Sequence, residues 1–367
     1  MLFRSVNTDA RGHFRIVKAS LDKKTSLIAV EKQGYFKAFR TFSATSGANR
    51  AVIKLIKKAS VGSVNAAAGG TVALSNGSKI ALPANGIVRA AGGAYTGNIN
   101  VYAAYIDPTS ADISKIVPGS FLADDKDGNK VILTSYGMLA VELESSAGEK
   151  LQIAAGNTAT LTTAIPASLL ASAPSTISLW YVDEQTGIWK EEGKATKNGT
   201  NYIGEVNHFT YWNCDVPGPV INLTASFKNL KGSPLTNAEI RFRPATGYAT
   251  AHGFTDSLGQ ISGPVPANTN LILEVMSPCY TVMYSKNIGP FSSDVNIGTI
   301  TANDHPSIVT VQGRLLNCNG APVTNGHAII NYDNKISYVS VQNANGDFSA
   351  IFYTCSAGSR SEERRVG

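Results

Sequence analysis

Hydrophobic and polar residues alternate along this chain with a period of two, in short bursts. Leu179-Trp180-Tyr181-Val182, Ile188-Trp189, Tyr202-Ile203 and Phe209–Trp212 are β-branched or aromatic runs set between turn-forming residues. A strand points successive side chains to opposite faces, so such runs read as strands with one buried face. Asp183–Gly187 and Asn198-Gly199 separate them. Asn-Gly tolerates positive φ at both central positions and predicts a two-residue hairpin. The same reasoning predicts strands at Thr71–Leu74 and Ser78–Leu82 around Asn76-Gly77, then at Asn98–Tyr105, Met138–Glu144, Lys150–Ile153 and Thr158–Thr163. No long stretch has the 3.6 period of an amphipathic helix, and no run of about eighteen apolar residues occurs. The pattern predicts an all-β chain of tandem sandwiches with no membrane-spanning helix.

Composition agrees with that class. Hydrophobic residues make up 43% and charged residues 16%, enough for buried cores, and 34 glycines suit a turn-rich protein. At 367 residues, roughly two to four domains are expected. Charge is uneven. Residues 1–58 hold 13 Lys/Arg and 3 Asp/Glu, a net +10, which against the overall +6 leaves −4 for the rest. A basic segment can attract nucleic acid, but no nucleic-acid-binding motif accompanies it. Lys54 and Lys57 in Val52–Lys57 read instead as the solvent side of a strand. No nucleic-acid partner is expected.

Two sequence elements recur. Thr8-Asp9-Ala10-Arg11-Gly12 returns as Thr255-Asp256-Ser257-Leu258-Gly259 and as Asn343-Ala344-Asn345-Gly346. An Asp or Asn that bonds the backbone ahead of it, followed by a Gly with positive φ, makes a tight turn. Gly232–Asn237 also matches Gly320–Asn325, 88 residues on (320 − 232). Two elements repeating in one order indicate duplicated domains.

These elements resemble the carboxypeptidase regulatory-like domain, a transthyretin-like β-sandwich, through G-x-P-[LV]-T-N, T-D-x-x-G and the pairs Gly34-Tyr35 and Cys279-Tyr280. The resemblance implies modules at 1–59 (opening strands missing), 216–301 and 302–359 (closing strands missing). Residues 60–215 differ. Their Thr71–Ala84 hairpin, running into Pro83-Ala84, resembles a ZU5-type sandwich. Their ending, His208-Phe-Thr-Tyr-Trp-Asn-Cys-Asp215, resembles the H-F-S-x-W-N-x-D close of cartilage-intermediate-layer-type proteins. The arrangement looks like secreted or cell-surface proteins of Bacteroidota-type bacteria. It implies an extracytoplasmic location: periplasm, outer-membrane surface or secreted. Residues 360–367 resemble a translated sequencing adapter, and the chain is expected to be a fragment.

No assembled chemistry is legible. There is no G-x-S-x-G, P-loop or metal-spaced histidine pair among His13, His208, His252, His305 and His327. Ser20-Leu-Asp-Lys23 matches S-x-x-K without its companion motifs and reads as a turn. Asp124-Asp125-Lys126-Asp127-Gly128 lacks the closing Glu of a calcium loop, since Thr134 stands there. No cofactor or metal is expected, and the regulatory-domain resemblance brings no catalysis. His208 reads as a structural hydrogen-bonding residue.

Trp189, beside a turn, is the candidate for an exposed sugar-stacking face, while Trp180 and Trp212 read as core. Four cysteines allow three pairings. Cys318 with Cys355 and Cys214 with Cys279 is the one expected, with buried free thiols as the alternative. The reading is a non-enzymatic structural or adhesive protein, held rigid by short junctions such as Val216-Pro217-Gly218-Pro219. The alternative is a carbohydrate- or peptide-binding module accessory to polysaccharide uptake, and a third is a catalytic domain lying beyond these residues. A cell-surface glycan or protein is the implied partner.

Overall fold

In the computed structural model, the described residues are 4–353, apart from 11, 18, 246–250, 278–280, 303–307, 333–334 and 342. Among them the chain is all-β, interrupted by two short helical turns at Ile113–Ile116 and Ala167–Leu169. Predicted strands appear where alternation is clearest: Asn98–Ile106, Lys150–Ile153, Ala159–Ala164 and Thr176–Asp183. Three readings are corrected. Met138–Glu144 is only the end of a 16-residue strand, Lys130–Ser145. Phe209–Trp212 leads into an 18-residue strand, Tyr211–Lys228. Val52–Lys57 forms no strand and makes only an isolated bridge, Lys57 with Tyr35. It is tied instead by Phe36 N–H to Ile56 O (3.0 Å) and Lys54 N–H to Lys115 O (2.8 Å).

The largest sheet runs in the order Ser60–Asn65, Asn98–Ile106, Lys130–Ser145, Tyr211–Lys228, Thr176–Asp183, Ile188–Asn198, Asn201–Val206, Ala159–Ala164, Lys79–Leu82, Gly70–Ala73. Its two ends face each other. Val64 from one end and Val72 and Ile80 from the other share a core with Leu139, Leu161, Tyr202 and Trp212. The opposite face carries a second core of Trp180, Trp189, Met138 and Tyr211, and Phe36 and Phe39 complete it. Those phenylalanines come from the segment holding the hairpin Ser26–Val30/Ala38–Phe42. Burial of each large aromatic contributes up to about 4–6 kcal/mol, at ~25 cal/mol per Å² over ~150–250 Å².

Tyr211–Lys228 belongs to two units at once. Its first half lies between Lys130–Ser145 and Thr176–Asp183. Its second half lies between Gln260–Pro266 and Val295–Thr301. The segment Val216–Pro219, read from sequence as a junction, is strand throughout, paired with Thr134–Val131. The strand tolerates its prolines for a geometric reason. Pro219 O accepts from Ala267 N–H (2.9 Å), on the flank away from Lys130–Ser145. A residue's N and C=O share a flank, and so do residues two apart, so neither Pro217 nor Pro219 removes a donor from that ladder. Beyond this point Ile221, Leu223, Ala225 and Phe227 enter a third core, with Ile240, Phe242, Leu273 and Val275.

The repeated turns adopt one geometry. Asp9 Oδ1 accepts from His13 N–H (2.9 Å), Asp256 Oδ1 from Gln260 N–H (2.8 Å) and Asn343 Oδ1 from Asp347 N–H (3.2 Å). Two copies also share a wider network. Phe227 N–H donates to Gly259 O (2.8 Å), as Leu315 N–H does to Gly346 O (2.9 Å). Leu235 N–H donates back to Phe227 O (3.0 Å), as Val323 N–H does to Leu315 O (2.9 Å). Gly259 (φ +76°) and Gly346 (φ +79°) sit where a Cβ would stand 2.4 and 2.5 Å from those same carbonyls. Gly259→Ala is therefore expected to cost about 2–4 kcal/mol, combining left-handed backbone with a backbone clash. Urea unfolding of the variant checks this, and an unchanged midpoint would refute it.

Candidate functional site

The tract Leu179–Asp215 is a core, and its aromatic residues face inward. Trp180 and Trp189 are 0% exposed and Trp212 is 2% exposed. Each indole N–H is satisfied internally. Trp189 donates to Ser120 O (2.8 Å), Trp180 to Asp215 O (3.2 Å) and Trp212 to His208 O (2.9 Å). The expected sugar-stacking role of Trp189 does not fit this placement. The neighbouring turn at Gly187 looks open in sequence, but the N-terminal hairpin covers it. A Cβ on Gly187 would lie 2.7 Å from Leu27 and 2.8 Å from Thr41. That cover comes from far away in sequence, so no local signal reveals it.

Behind the tryptophans lies a buried polar network. The ladder between Tyr211–Lys228 and Lys130–Ser145 slips between Asn213 and Asp215, which leaves an extra residue on the partner strand. Ser135 Oγ donates to Asn213 Oδ1 (2.6 Å) and accepts from Gly137 N–H (3.3 Å), and Asn213 Nδ2 donates to Asp215 Oδ2. Asp215 is wholly buried with Oδ1 unpartnered. Burial pushes its carboxyl well above the ordinary carboxylate range, and the Ser135 hydroxyl offsets only part of that shift.

Cys214, beside it, is a buried free thiol, pushed up to about 12 chiefly by burial. The expected Cys214–Cys279 bridge involves a residue outside the described ones. Cys214 points into the first core, among apolar side chains. Cys318 is an exposed free thiol. Cys279 and Cys355 lie outside the described residues, as do His305 and the tail 360–367.

The other candidates serve the fold. Asp125 Oδ1 accepts from Asp127 N–H (2.9 Å) and Asn129 N–H (2.8 Å), closing the acidic turn on itself, while Asp124 pairs with Lys130 and Lys190. Among the described residues no cluster of three metal-ligating side chains occurs. His208 packs edge-on against Tyr181 (centroids 4.7 Å) and tilted against Trp212 (5.0 Å), with Glu192 at 3.8 Å. Burial holds its pKa down, although Glu192 pulls the other way. Near Ser20, Asp22 Oδ1 accepts from Lys24 N–H (2.6 Å) and Thr25 N–H (3.1 Å), which makes a turn.

One cavity gathers residues from three parts of the chain. It encloses about 110 Å³, between the Ala38–Phe42 strand and the segment after it, the Ser114–Leu122 region, and the Ala251–Val265 segment. Three contacts clamp the first of these onto the third. Gly47 N–H donates to Asp256 Oδ2 (2.8 Å), Ala48 N–H to Ser257 Oγ (2.9 Å) and Ser46 Oγ to Gln260 Oε1 (2.7 Å). Arg40, 7% exposed, forms part of the wall. Burial alone pushes its pKa down to about 10, which leaves it charged at neutral pH. Sequence reasoning missed Arg40 because it looks like any other cation in a basic segment.

No family model matches the chain. Human cartilage intermediate layer protein 2 is 24% identical over 237 residues, 58% of this chain and 20% of that protein. The mouse protein is 25% identical over 154 residues, 40% of this chain and 13% of that protein. The chain thus spans at most about a fifth of the length of these curated relatives. Among solved structures, a streptococcal ancillary pilin aligns over 51% of this chain and 83% of its own, at 10% identity and TM-score 0.21. BcpA, the major pilin subunit of Bacillus cereus, aligns over 81% and 89%, at 10% identity and TM-score 0.19.

Two outcomes are expected. Trp189→Ala should cost about 3–5 kcal/mol and broaden the amide spectrum of the whole unit. A folded variant of unchanged stability would refute a core role. The Asp215 carboxyl titrates higher in the folded chain than its ordinary value of 3.8, so its contribution to stability is full below that value and declines as pH rises toward the folded-state pKa. The melting temperature of Asp215→Asn relative to wild type should therefore climb between pH 4 and pH 8. A flat difference would show that folding does not raise the Asp215 pKa.

Proposed function

We propose that the protein is a non-catalytic, extracytoplasmic chain of β-sandwich modules with a structural, adhesive or presenting role at a cell surface. The observation that carries this reading is the strand Tyr211–Lys228. It is laddered on Lys130–Ser145 at one end and on Gln260–Pro266 at the other, so two units share backbone hydrogen bonds where a flexible linker would otherwise lie. Such a join transmits orientation and force and suits a spacer. The commitment of the tryptophans, His208 and the acidic turn to internal contacts supports the absence of catalysis. The similarity to part of cartilage intermediate layer protein 2 is consistent with an extracytoplasmic module, and the carboxypeptidase-regulatory-like and ZU5-like assignments, the domain limits at 59, 215 and 301, and a Bacteroidota-type origin belong to the same proposal.

A binding role is the second reading. The cavity at Arg40 favours it, with a small ligand in place of the aromatic platform first expected at Trp189. A glycan or peptide partner would then engage this cavity.

Small-angle scattering tests the first reading. The chain should fit a single conformation, and four Gly-Ser residues inserted after Gly218 should broaden the distance distribution. A wide spread of interdomain angles in the unmodified protein would refute the spacer.

A further inference from the structure

Three cations of the basic N-terminal segment are held by acidic partners. Lys37 pairs with Glu31 (3.2 Å) and Glu184 (3.3 Å), Lys54 with Asp112 (2.6 Å), and Lys58 with Glu142 (2.7 Å) and Glu144. Arg40 differs from them. Its backbone is fixed in place, since Gly119 N–H donates to Phe39 O (3.0 Å) and Thr41 N–H to Gly119 O (3.2 Å). Its guanidinium has no carboxylate: among the described residues that line the cavity, none is Asp or Glu. Among the described residues Nη1 reaches only His252 Nε2, at 3.5 Å, and that nitrogen lies 2.7 Å from Ser114 O, to which it donates. Nε and Nη2 are buried and make no hydrogen bond.

A buried cation without an acceptor is strongly unfavourable, and native proteins rarely keep one without a partner. The two unsatisfied atoms are also informative. Nε and Nη2 form one edge of the planar guanidinium and donate in parallel. That fork matches two oxygens of a carboxylate, sulfate or phosphate. At the same cavity lie Arg50, whose guanidinium sits 5.6 Å from the Phe254 ring centroid, and the exposed Lys24. Both add positive potential. A volume of about 110 Å³ accommodates roughly a sulfate-sized group with water, and is too small for a whole sugar chain.

We propose that this cavity is an oxyanion-binding site in which Arg40 grips a carboxylate, sulfate or phosphate through its Nε/Nη2 edge, with Arg50 and Lys24 steering the charge inward. The site takes the acidic head group of a ligand and leaves the remainder outside. This proposal goes beyond the spacer reading and stands or falls separately from it.

The test is isothermal titration of the whole chain in a chloride-only buffer. The probes are sodium sulfate, phosphate, acetate and glucuronate. At least one should bind saturably to wild type. Arg40→Met should weaken that binding about tenfold or more, and Arg40→Lys, which keeps charge but loses the fork, should weaken it severalfold. In the chloride buffer alone, Arg40→Met should melt no lower than wild type, because it removes an unpartnered buried charge. Stronger binding of glucuronate than of acetate would identify the carboxylate as sugar-borne, and the reverse order would identify it as free. Two results overturn the proposal: no saturable binding by wild type up to about 50 mM of any probe, or equal affinity in wild type and the substituted chains. Should Arg40→Met fail to fold, the wild-type titration and Arg40→Lys decide alone.

Discussion

The rest of the structure depends on the register between Tyr211–Lys228 and Lys130–Ser145. A strand's side chains alternate, so a slip of one residue would turn Trp212 and Cys214 out of one core and bring Asn213 and Asp215 into it. The ladder does slip once, between Asn213 and Asp215, and the polar side chains there are placed to tolerate it. Ser135 and Asn213 satisfy each other and the amide of Gly137, and Asp215 accepts from the Asn213 amide. Buried polar groups of this kind contribute little net stability, but they are costly in any other register, so they select this one. With the register set, Trp180 and Trp189 fall on one face, Trp212 falls on the other, and the strand enters the next unit in phase.

Electrostatics arranges the segment that precedes the sheet. Residues 1–58 carry an excess of ten positive charges and the remainder an excess of four negative ones. The pairs from Lys37, Lys54 and Lys58 to acids of the central unit convert that asymmetry into docking contacts. Partly exposed pairs contribute only about 0–1 kcal/mol each, so they orient the segment more than they stabilise it. Adhesion of the segment comes from Phe36 and Phe39, which complete the core over Trp180 and Trp189. Its location over that core also explains why the tryptophans are unavailable to a ligand. The same docking encloses Arg40, a surface cation in the isolated segment, within a cavity. The arrangement that removes the aromatic platform therefore also buries Arg40 without an anion among its described neighbours.

The repeat shows how a weak motif acquires meaning. Asp256 and Gly259, like Asn343 and Gly346, are ordinary turn residues when taken singly. Together with Gly232 and Gly320 they build the same backbone network twice, and the carbonyls of Phe227 and Leu315 close it against a glycine that has no room for a side chain. In the first of these turns Asp256 has a further use: its second oxygen accepts from Gly47 and fastens the N-terminal segment.

By itself the sequence determined the all-β class, most strand positions, the repeated turns and the polar close of the central tract. All of these follow from interactions between residues close in the chain: side-chain alternation, positive φ at glycine, and Asp or Asn bonding the backbone ahead. Tertiary structure alone decided three things. The stretch through Pro217 and Pro219 became strand because its ladder partner lies on the flank the prolines leave intact. Trp189 became core because a hairpin some 150 residues earlier covers its turn (189 − 38 = 151, from Ala38). Arg40 became a candidate site because its solvent was taken away without a carboxylate in return. Each depends on which distant surfaces meet, and local pattern carries no record of that.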